Sequence, residues 1–267
     1  MLYQSAAQRG LIGNGVLASL DAGEYQRLFH LLRVVDLCAQ QTLYTPGDRL
    51  QHVYFPVGCV VTGVAVMDDG ATVETAMIGP EGVVGVSAMT DGYRVRYWTR
   101  VLLPGEALRV EAEALREFCE ESQPCQTMLL RYYSTLISQV SRRAVCNSRH
   151  RLSERLCTWL LMVHDRAGTD DFPVTQEAVA RHLGVRRAGV NECVGWLEDL
   201  KIIDHVRGHI RILRREALEA EACVCYPAFK AEARWFDGMA AEKNGGQDEY
   251  QRASASRGGN EHRSSRP

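Results

Sequence analysis

The chain has 267 residues, 46% of them hydrophobic and 24% charged, and its formal net charge is −2. This composition is typical of a globular protein with one large or two ordinary domains. The near-neutral charge excludes a protein that coats nucleic acid through overall positive charge, but it allows a local basic patch. No apolar run approaches the roughly 18 residues of a membrane span, and the first thirty residues lack a signal-peptide pattern, so we expect a cytoplasmic protein without membrane contacts.

The first predicted element is a helix over residues 16–34, in which valines and leucines recur at helical spacing and Asp21 offers a cap. From residue 43 to about residue 110, short β-rich runs alternate with glycine, proline and aspartate turns at intervals of roughly 8–12 residues, which indicates an antiparallel sandwich or barrel. Asp69-Gly70 separates two such runs and predicts a hairpin.

A longer helical pattern follows, and it carries two apolar stripes. One stripe is a seam in which spacings of three and four residues alternate along a helix of about 20 residues: Leu130, Tyr133, Ile137, Val140 and Ala144. Leu129 and Leu136 form the adjoining stripe. One stripe can pack on the helix's own domain while the other meets a partner helix. The alternative is a helix buried along both stripes inside one monomer. Residues 151–164 predict a further amphipathic helix.

Residues 173–213 predict a helix-turn-helix followed by a β-hairpin wing. Thr175 can cap a short helix over residues 176–183, and Gly184 tolerates the positive φ that ends such a helix. A second helix is predicted over residues 185–200. Two short strands around Arg207-Gly208 form the wing.

The arginines of this segment stand where DNA would lie. The segment has six basic and five acidic residues and a net charge of +1, so the placement of the arginines argues for DNA more than the charge does. Arg186 and Arg187 open the second helix, which would face the major groove. Seven residues are predicted to contact DNA: Thr175, Gln176, Arg186, Arg187, Asn191, Arg207 and Arg211. The alternative is a solvated basic face on an ordinary helical subdomain.

The order of these elements resembles that of the Crp/Fnr family of bacterial transcription regulators over about residues 16–226. The stretches that carry the resemblance are Tyr44-Thr45-Pro46-Gly47-Asp48, Val53-Tyr54-Phe55-Pro56-Val57-Gly58, Ile78-Gly79-Pro80-Glu81-Gly82, Thr175-Gln176-Glu177, Leu183-Gly184-Val185-Arg186-Arg187 and Arg207-Gly208-His209-Ile210-Arg211-Ile212. The resemblance implies an α+β fold with an N-terminal antiparallel β-roll (a double-stranded β-helix or jelly roll) and flanking helices, a long dimerisation helix and a C-terminal winged helix-turn-helix.

The implied domains are a cyclic-nucleotide-binding-like sensor over residues 1–120, a dimerisation helix over 121–148 and a winged helix-turn-helix over 149–226. Residues 237–267 are poor in large apolar side chains and are predicted to form a disordered tail. The resemblance also implies a homodimer, joined along the seam, that binds an inverted-repeat operator in double-stranded DNA. An activating member of the family would contact RNA polymerase as well.

Within the implied interface, Arg187 is expected to read a base, Arg186 to contact a phosphate or a neighbouring base, and Asn191 to reach an adenine or a phosphate. The chain departs from the family pattern on this helix, because Ala188 follows Arg187 and Glu192 stands where a second arginine is common. A glutamate can accept from cytosine but cannot contact guanine acceptors or phosphate, so the family's usual operator is not expected.

Cyclic-nucleotide binders of this fold hold the ribose hydroxyl with a Gly-Glu pair and the cyclic phosphate with an Arg-Ser or Arg-Thr pair. Here Gly85 is followed by Val86 and Arg96 by Tyr97, and these four residues are the candidate ligand site. A buried hydroxyl without a partner costs about 1–3 kcal/mol, so the sequence predicts that cyclic AMP does not bind, and another effector stays open. The arginines that alternate through residues 94–100 either bind an anion or form the outer face of a strand.

The nine cysteines are odd in number and irregularly spaced, which fits a reducing compartment better than a disulfide framework. Only Cys38 precedes residue 50, whereas cluster-bearing relatives use closely spaced N-terminal cysteines. Cys223 and Cys225 form a C-x-C pair without evident further ligands, so no metal site is predicted, and redox sensing by this pair is the alternative. Five helical cysteines are expected to be small core residues: Cys119, Cys125, Cys146, Cys157 and Cys193.

An enzyme is not predicted. A metal-dependent β-barrel enzyme needs two or three histidines and a carboxylate on facing strands, but His52 is the only histidine between residues 43 and 110. Neither a G-x-S-x-G elbow nor a phosphate-cradling glycine-rich loop occurs in the sequence. The competing function is an interaction or redox-sensing module built on the β-roll, with weak or no DNA binding. Salt-dependent DNA affinity separates the two functions.

Overall fold

The computed structural model describes residues 13–89 and 94–234. Within them the chain forms a β-roll, a long helix and a smaller C-terminal domain of helices with a three-stranded sheet, which confirms the predicted α+β architecture. The predicted tail over residues 237–267 lies outside the described residues. No helix in the described ranges has both the length and the hydropathy to cross a bilayer.

The chain opens with two short helices, α1 (Gly15–Ala18) and α2 (Ala22–Phe29). The Asp21 carboxylate accepts a hydrogen bond from the Glu24 backbone N–H at 2.9 Å and caps α2, as the sequence predicts. The prediction of one helix over residues 16–34 is wrong. The cap at Asp21 starts a new helix, and the segment after α2 is drawn into strand pairing.

Seven strands form the β-roll: β1 (Arg33–Leu37), β2 (Thr42–Tyr44), β3 (His52–Pro56), β4 (Val60–Val66), β5 (Thr72–Ile78), β6 (Trp98–Leu103) and β7 (Gly105–Glu111). They make two antiparallel sheets with the strand orders β1-β7-β3 and β2-β6-β4-β5. The predicted hairpin joins β4 to β5, and Gly70 in its turn has a φ of 81°. The roll begins before residue 43 because β1 pairs along its whole length with β7.

Two helices follow the roll, α3 (Ala112–Glu121) and α4 (Gln123–Arg149). Ser122 caps α4, since its hydroxyl oxygen accepts the Cys125 N–H at 3.2 Å. Helix α4 has 27 residues instead of the predicted 20 or so, because its hydrogen bonding continues until the His150 N–H bonds to the Cys146 carbonyl at 3.1 Å.

Apolar side chains fill the interior of the roll. Among the most deeply buried are Val53, Phe55, Val61, Val84 and Val101. Burying a side chain of this kind stabilises the fold by about 1.5–3 kcal/mol relative to leaving it in water. Leu129 and Tyr132 of α4 complete this core. Tyr132 packs so closely that a Cβ at Gly82 would lie 2.5 Å from its hydroxyl, so the turn after β5 needs a glycine there.

The C-terminal domain comprises α5 (Leu152–Ala167), β8 (Asp171–Phe172), α6 (Gln176–Leu183), α7 (Arg187–Asp199), β9 (Ile203–Val206), β10 (His209–Ile212) and α8 (Arg215–Ala220). Its strands form an antiparallel sheet in the order β8-β10-β9. The sequence predicts α5 as an amphipathic helix, but residues 156–163 are all buried, because other helices and the β-roll surround this segment.

Candidate DNA interface and sensor site

Helices α6 and α7 cross over a small shared core. Thr175 Oγ1 accepts the Ala178 N–H at 3.1 Å and begins α6, and Gly184, with a φ of 65°, ends it. The Val185 N–H then bonds to the Ala180 carbonyl at 3.0 Å and closes the turn. The shared core is formed by Val179, Leu183, Val190, Val194 and Leu197. This is the helix-turn-helix that the sequence predicts.

The second helix of the pair, α7, exposes its first turns. It begins at Arg187 instead of residue 185, because Arg186 has the extended backbone of an N-cap, with φ −72° and ψ 141°. Among the described residues, neither arginine has an ion-pair partner, so both guanidinium groups are open to an outside anion. The free N–H groups at the start of a helix also favour phosphate. The exposed side chains here are Arg186, Arg187, Ala188, Asn191 and Glu192.

The wing is the hairpin of β9 and β10. Arg207 and Gly208 have φ values of 51° and 84°, which is the geometry of a two-residue hairpin turn, and the Arg207 side chain is exposed. Arg211 Nη2 lies 2.6 Å from Asp171 Oδ2, and His209 Nδ1 lies 3.0 Å from Asp171 Oδ1. Hydrogen bonds from Arg211 and His209 lower the pKa of Asp171. The Arg211 guanidinium is therefore already paired with the Asp171 carboxylate, a partner that the sequence did not predict.

The five seam residues of α4 are all exposed, whereas the adjoining stripe packs on the roll. Leu129 is 1% exposed, and Leu136 packs at the edge of the core. In a single chain one apolar face of α4 is therefore exposed to solvent. The alternative, a helix buried along both stripes within one monomer, does not describe this structure. The exposed fractions are 62% for Leu130, 45% for Tyr133, 50% for Ile137 and 39% for Val140, and Ala144 is exposed as well.

Of the four residues of the predicted ligand site, Gly85 and Val86 lie in a tightly packed part of the roll, whereas Arg96 and Tyr97 are exposed. Gly85 has a φ of 90°, and a Cβ there would lie 2.5 Å from the Tyr44 hydroxyl. That hydroxyl donates to the His52 carbonyl at 2.8 Å. Val86 is buried among apolar side chains, so it offers no acceptor to a sugar hydroxyl. Tyr97 packs its ring against a glycine of β4.

The three alternating arginines have different surroundings: Arg94 and Arg96 are exposed, whereas Arg100 is half-buried. Arg94 donates to the Gly47 carbonyl at 2.8 Å, and Arg96 is exposed. The guanidinium of Arg100 lies over the Trp98 ring, 5.0 Å from its centroid. Arg94 and Arg96 therefore fit the outer-face interpretation, whereas Arg100 lines a small cavity together with Arg181 and His182.

A buried polar cluster joins the roll to the C-terminal domain. Glu74 of β5 accepts a hydrogen bond from Trp159 Nε1 of α5 at 3.1 Å and forms an ion pair with Arg143 of α4. His182 Nδ1 of α6 lies 2.9 Å from Glu74 Oε2. The His182 ring stacks on Trp159 with 5.6 Å between centroids. The neutral His182 ring makes no hydrogen bond through Nδ1, so its stacking on Trp159 and the packing of α6 on β5 place the helix-turn-helix beside this cluster.

Burial sets the protonation of this cluster. It lowers the pKa of Arg143 to about 10, so the guanidinium stays charged at neutral pH. Burial also lowers the pKa of His182 to about 3, with help from the positive charges of Arg143 and Arg181, so this imidazole is neutral. Sequence reasoning missed the cluster because its members span residues 74–182, and the available signal was one acidic residue inside the β5 run.

Cys223 and Cys225 have two further metal-ligating side chains beside them. The Cys146 sulfur lies 3.5 Å from the Cys223 sulfur, and His150 Nδ1 lies 3.7 Å from the Cys225 sulfur. The prediction that the C-x-C pair lacks further ligands is wrong, because the turn after α8 folds back onto the end of α4. Four of the five cysteines expected in the core are buried and one is half-buried: Cys119, Cys125, Cys146 and Cys157, and then Cys193.

Comparisons with known proteins agree with this architecture. Residues 34–122 match the cyclic nucleotide-binding domain, and residues 154–221 match the Crp-like helix-turn-helix domain. The chain is 25% identical over 172 residues to the "Global nitrogen regulator" of Nostoc sp., covering 61% of this chain and 77% of that protein.

Two solved structures share the fold. FixK2 from Bradyrhizobium japonicum superposes with a TM-score of 0.62 at 16% identity, covering 72% of this chain and 98% of that chain. A CRP/FNR-family transcriptional regulator from Thermus thermophilus superposes with a TM-score of 0.57 at 20% identity, covering 71% of this chain and 98% of that chain. The chain therefore carries, one after the other, the two domains of the Crp/Fnr-type DNA-binding transcription regulators.

Proposed function

We propose that this regulator acts as a homodimer that recognises a specific inverted-repeat operator. The observation that carries the proposal is the position of Arg186 and Arg187 at the start of α7, where both are exposed and, in the part of the chain described, free of ion pairs. In helix-turn-helix proteins this end of the second helix meets the base edges in the major groove.

Arg187 is the base-reading residue of this proposal, because it is the first residue of α7 and an arginine–guanine contact carries about 1–3 kcal/mol of discrimination. Arg186 precedes the free N–H groups of the helix and contacts phosphate. Asn191 lies one turn further along and reaches an adenine or a phosphate. The exposed Glu192 favours a cytosine at its position.

The wing makes a smaller contribution. Arg207 at its tip is exposed and contacts the DNA backbone. Arg211 lies on the same hairpin, but it contributes only if DNA draws it away from Asp171. Thr175 and Gln176 stand at the start of α6 and approach the DNA backbone there, where the Thr175 hydroxyl accepts the Ala178 N–H and can donate its own proton to a phosphate.

The homodimer of this proposal forms along the exposed seam of α4. Four large apolar side chains between 39% and 62% exposed follow the alternating spacing of a two-helix coiled coil. A second copy of the same helix covers this face in an isologous interface and places two recognition helices about one turn of DNA apart.

In this proposal the β-roll is a degenerate sensor domain that does not bind cyclic AMP. Val86 is buried where an acidic acceptor would be needed, and Arg96 of the candidate ligand site is exposed. A cyclic nucleotide would leave its ribose hydroxyl and its phosphate without partners, which opposes binding.

Switching runs through the Glu74 cluster, because that cluster lies where α6 packs on β5. A signal that moves β5 releases or reorients the helix-turn-helix only if it binds the two arrangements with different affinity. The arrangement described above is then one of two states, in which the DNA-binding domain is docked on the roll.

The experiment that tests the proposal is selection of genomic DNA fragments by the purified protein, followed by sequencing, at two salt concentrations and with and without cyclic AMP. The expected result is an enriched inverted repeat, bound more weakly at high salt and equally with and without cyclic AMP. No enrichment in any condition would favour the competing function, an interaction module with weak or no DNA binding.

A further inference from the structure

We propose that Cys146, His150, Cys223 and Cys225 form a metal site of the structural zinc type. Their four ligand atoms all lie within 4.8 Å of one another. Cys146 lies in the last turn of α4, and His150 caps that helix. Cys223 and Cys225 come from the turn after α8. No other group of three or more such ligands converges within the ranges that the structure describes.

The spacing of the ligand atoms fits a single ion. Tetrahedral zinc has Zn–S bonds of about 2.3 Å and Zn–N bonds of about 2.0–2.1 Å, which place neighbouring ligand atoms about 3.5–3.8 Å apart. The Cys146 and Cys223 sulfurs are 3.5 Å apart, and the Cys225 sulfur is 3.7 Å from His150 Nδ1. An iron–sulfur cluster would hold these atoms further apart, because several iron atoms stand between its ligands.

The donor set points to the same chemistry. Three thiolates and one imidazole are a structural zinc set, and soft sulfur ligands select against magnesium and calcium. The three cysteines are 2%, 3% and 7% exposed, and His150 is half-buried. Since all four positions come from the protein, the ion has no open position for a substrate and serves the fold.

The surroundings support a charged site. Thr158 Oγ1 accepts the Cys223 N–H at 3.1 Å and lies 3.0 Å from the Cys223 sulfur, so it fixes the orientation of that ligand. A zinc ion with three thiolates carries one net negative charge. Arg143 and Arg155 interact electrostatically with the thiols of this site. Their positive charges offset the net negative charge of the zinc site.

A second pair of close thiols in the chain provides a contrast. The sulfurs of Cys119 and Cys125 lie 3.0 Å apart in the core of the roll. They belong to no group of three or more convergent ligands in the described structure, and a thiol–thiol hydrogen bond accounts for the pair. The site at Cys223 differs because two segments that are distant in sequence bring four ligands to one point.

A metal here would tie the DNA-binding domain to the end of the long helix. At His150 the backbone leaves α4 with φ −104° and ψ 149°, and α5 begins two residues later. Cys223 and Cys225 lie at the opposite end of the DNA-binding domain in sequence. An ion bound to both sides fixes this joint, and its binding free energy adds to folding. The inference does not rest on the proposed operator recognition.

The test uses the full chain, purified without oxygen and under reductant. Elemental analysis is expected to find about one zinc ion per chain, and cobalt substitution to produce the intense visible bands of a tetrahedral thiolate site. The Cys223→Ser/Cys225→Ser variant is expected to lose both signals. The matched control is Cys38→Ser, an exposed cysteine outside the site, which is expected to keep both.

Three results would overturn the proposal. The first is wild-type protein that, after incubation with zinc and desalting, holds no more metal than the double variant. The second is iron with acid-labile sulfide, and the third is a Cys146–Cys223 disulfide in the anaerobic preparation. If the double variant does not fold, His150→Ala replaces it, and an unchanged cobalt spectrum in that variant would equally contradict the proposal.

Discussion

The Glu74 carboxylate of the β-roll and the Trp159 indole of the DNA-binding domain share a hydrogen bond of 3.1 Å across the boundary between the two domains. Glu74 is 1% exposed and Trp159 is fully buried. A carboxylate at such a place is tolerated only when it is paired, and here Arg143 of the long helix supplies the charge. The roll, the long helix and the helix-turn-helix therefore share one buried charged cluster.

Replacing Glu74 should loosen this junction. Glu74→Gln keeps the size of the side chain but leaves the Arg143 guanidinium buried without a counter-charge, which is expected to cost about 3–5 kcal/mol. Urea unfolding measures the loss. Asp68→Asn, at an exposed position on the same hairpin, is the control and should stay within about 0.5 kcal/mol of wild type. Equal losses in the two variants would contradict this role of Glu74.

The stability of the protein should fall in mild acid because of His182. Its pKa is about 3 in the folded chain, and an unperturbed histidine has a pKa of about 6.5. Below about pH 6.5 the unfolded chain therefore binds a proton that the folded chain does not, and stability falls by up to about 1.4 kcal/mol per pH unit from this residue. The loss is absent above pH 6.5.

Unfolding free energies measured between pH 7 and pH 5 test this expectation against His182→Gln, which cannot titrate. The groups facing His182 are Glu74, Arg143, Arg181 and the Trp159 ring, and the variant keeps all of them. The acid-dependent loss should be smaller in the variant. A slope identical to that of wild type would show that His182 is not the titrating group.

The seam of α4 should hold the dimer together. Ile137→Glu places a carboxylate in the middle of the apolar face, and an unpaired charge there is expected to weaken dimerisation by about 3 kcal/mol or more, which is over about 100-fold in Kd. Sedimentation equilibrium measures the change. Arg131→Glu, exposed on the other side of the same helix, is the control and should remain dimeric. A monomeric wild-type protein would rule out the seam as an interface.

Cyclic AMP should not stabilise the protein. The measurement is thermal unfolding with and without cyclic AMP. A ligand with a Kd of about 10 μM, present at about 1 mM, would add about 2.7 kcal/mol to the free energy of unfolding and raise the Tm clearly. We expect no shift, because the buried Val86 offers the sugar no acceptor and Arg94 is already bonded to the Gly47 carbonyl. A shift with cyclic AMP but not with AMP would mean that the roll binds cyclic nucleotides in another way.

The helix-turn-helix could be predicted from sequence because its signals are local. Thr175 caps a helix that begins one residue later, and Gly184 ends it, so a window of about ten residues contains the information. The seam of α4 is equally local, since its spacing alone defines a face. The same kind of reasoning failed at residues 16–34, where helical spacing continued into a strand that only its partner β7 reveals.

Sites assembled from distant segments were beyond the reach of sequence reasoning. Glu74 gains its partners from three helices, and Cys223 gains Cys146 and His150 from the end of α4. Asp171 likewise meets Arg211 only when β8 pairs with β10. No periodicity or spacing in the sequence records these contacts, because the long-range packing of the domains creates them.

The central claim is sequence-specific operator recognition by α7, and the most direct measurement is the affinity of wild type and Arg187→Ala for the selected operator and for a scrambled sequence. The operator should bind more tightly than the scrambled DNA. Arg187→Ala should lose about 1–3 kcal/mol on the operator and much less on the scrambled DNA, because it removes a base contact. Arg211→Ala, whose guanidinium is already held by Asp171, should lose less on both. Equal affinity of the wild type for both sequences, or no effect of Arg187→Ala on the operator, would contradict the claim.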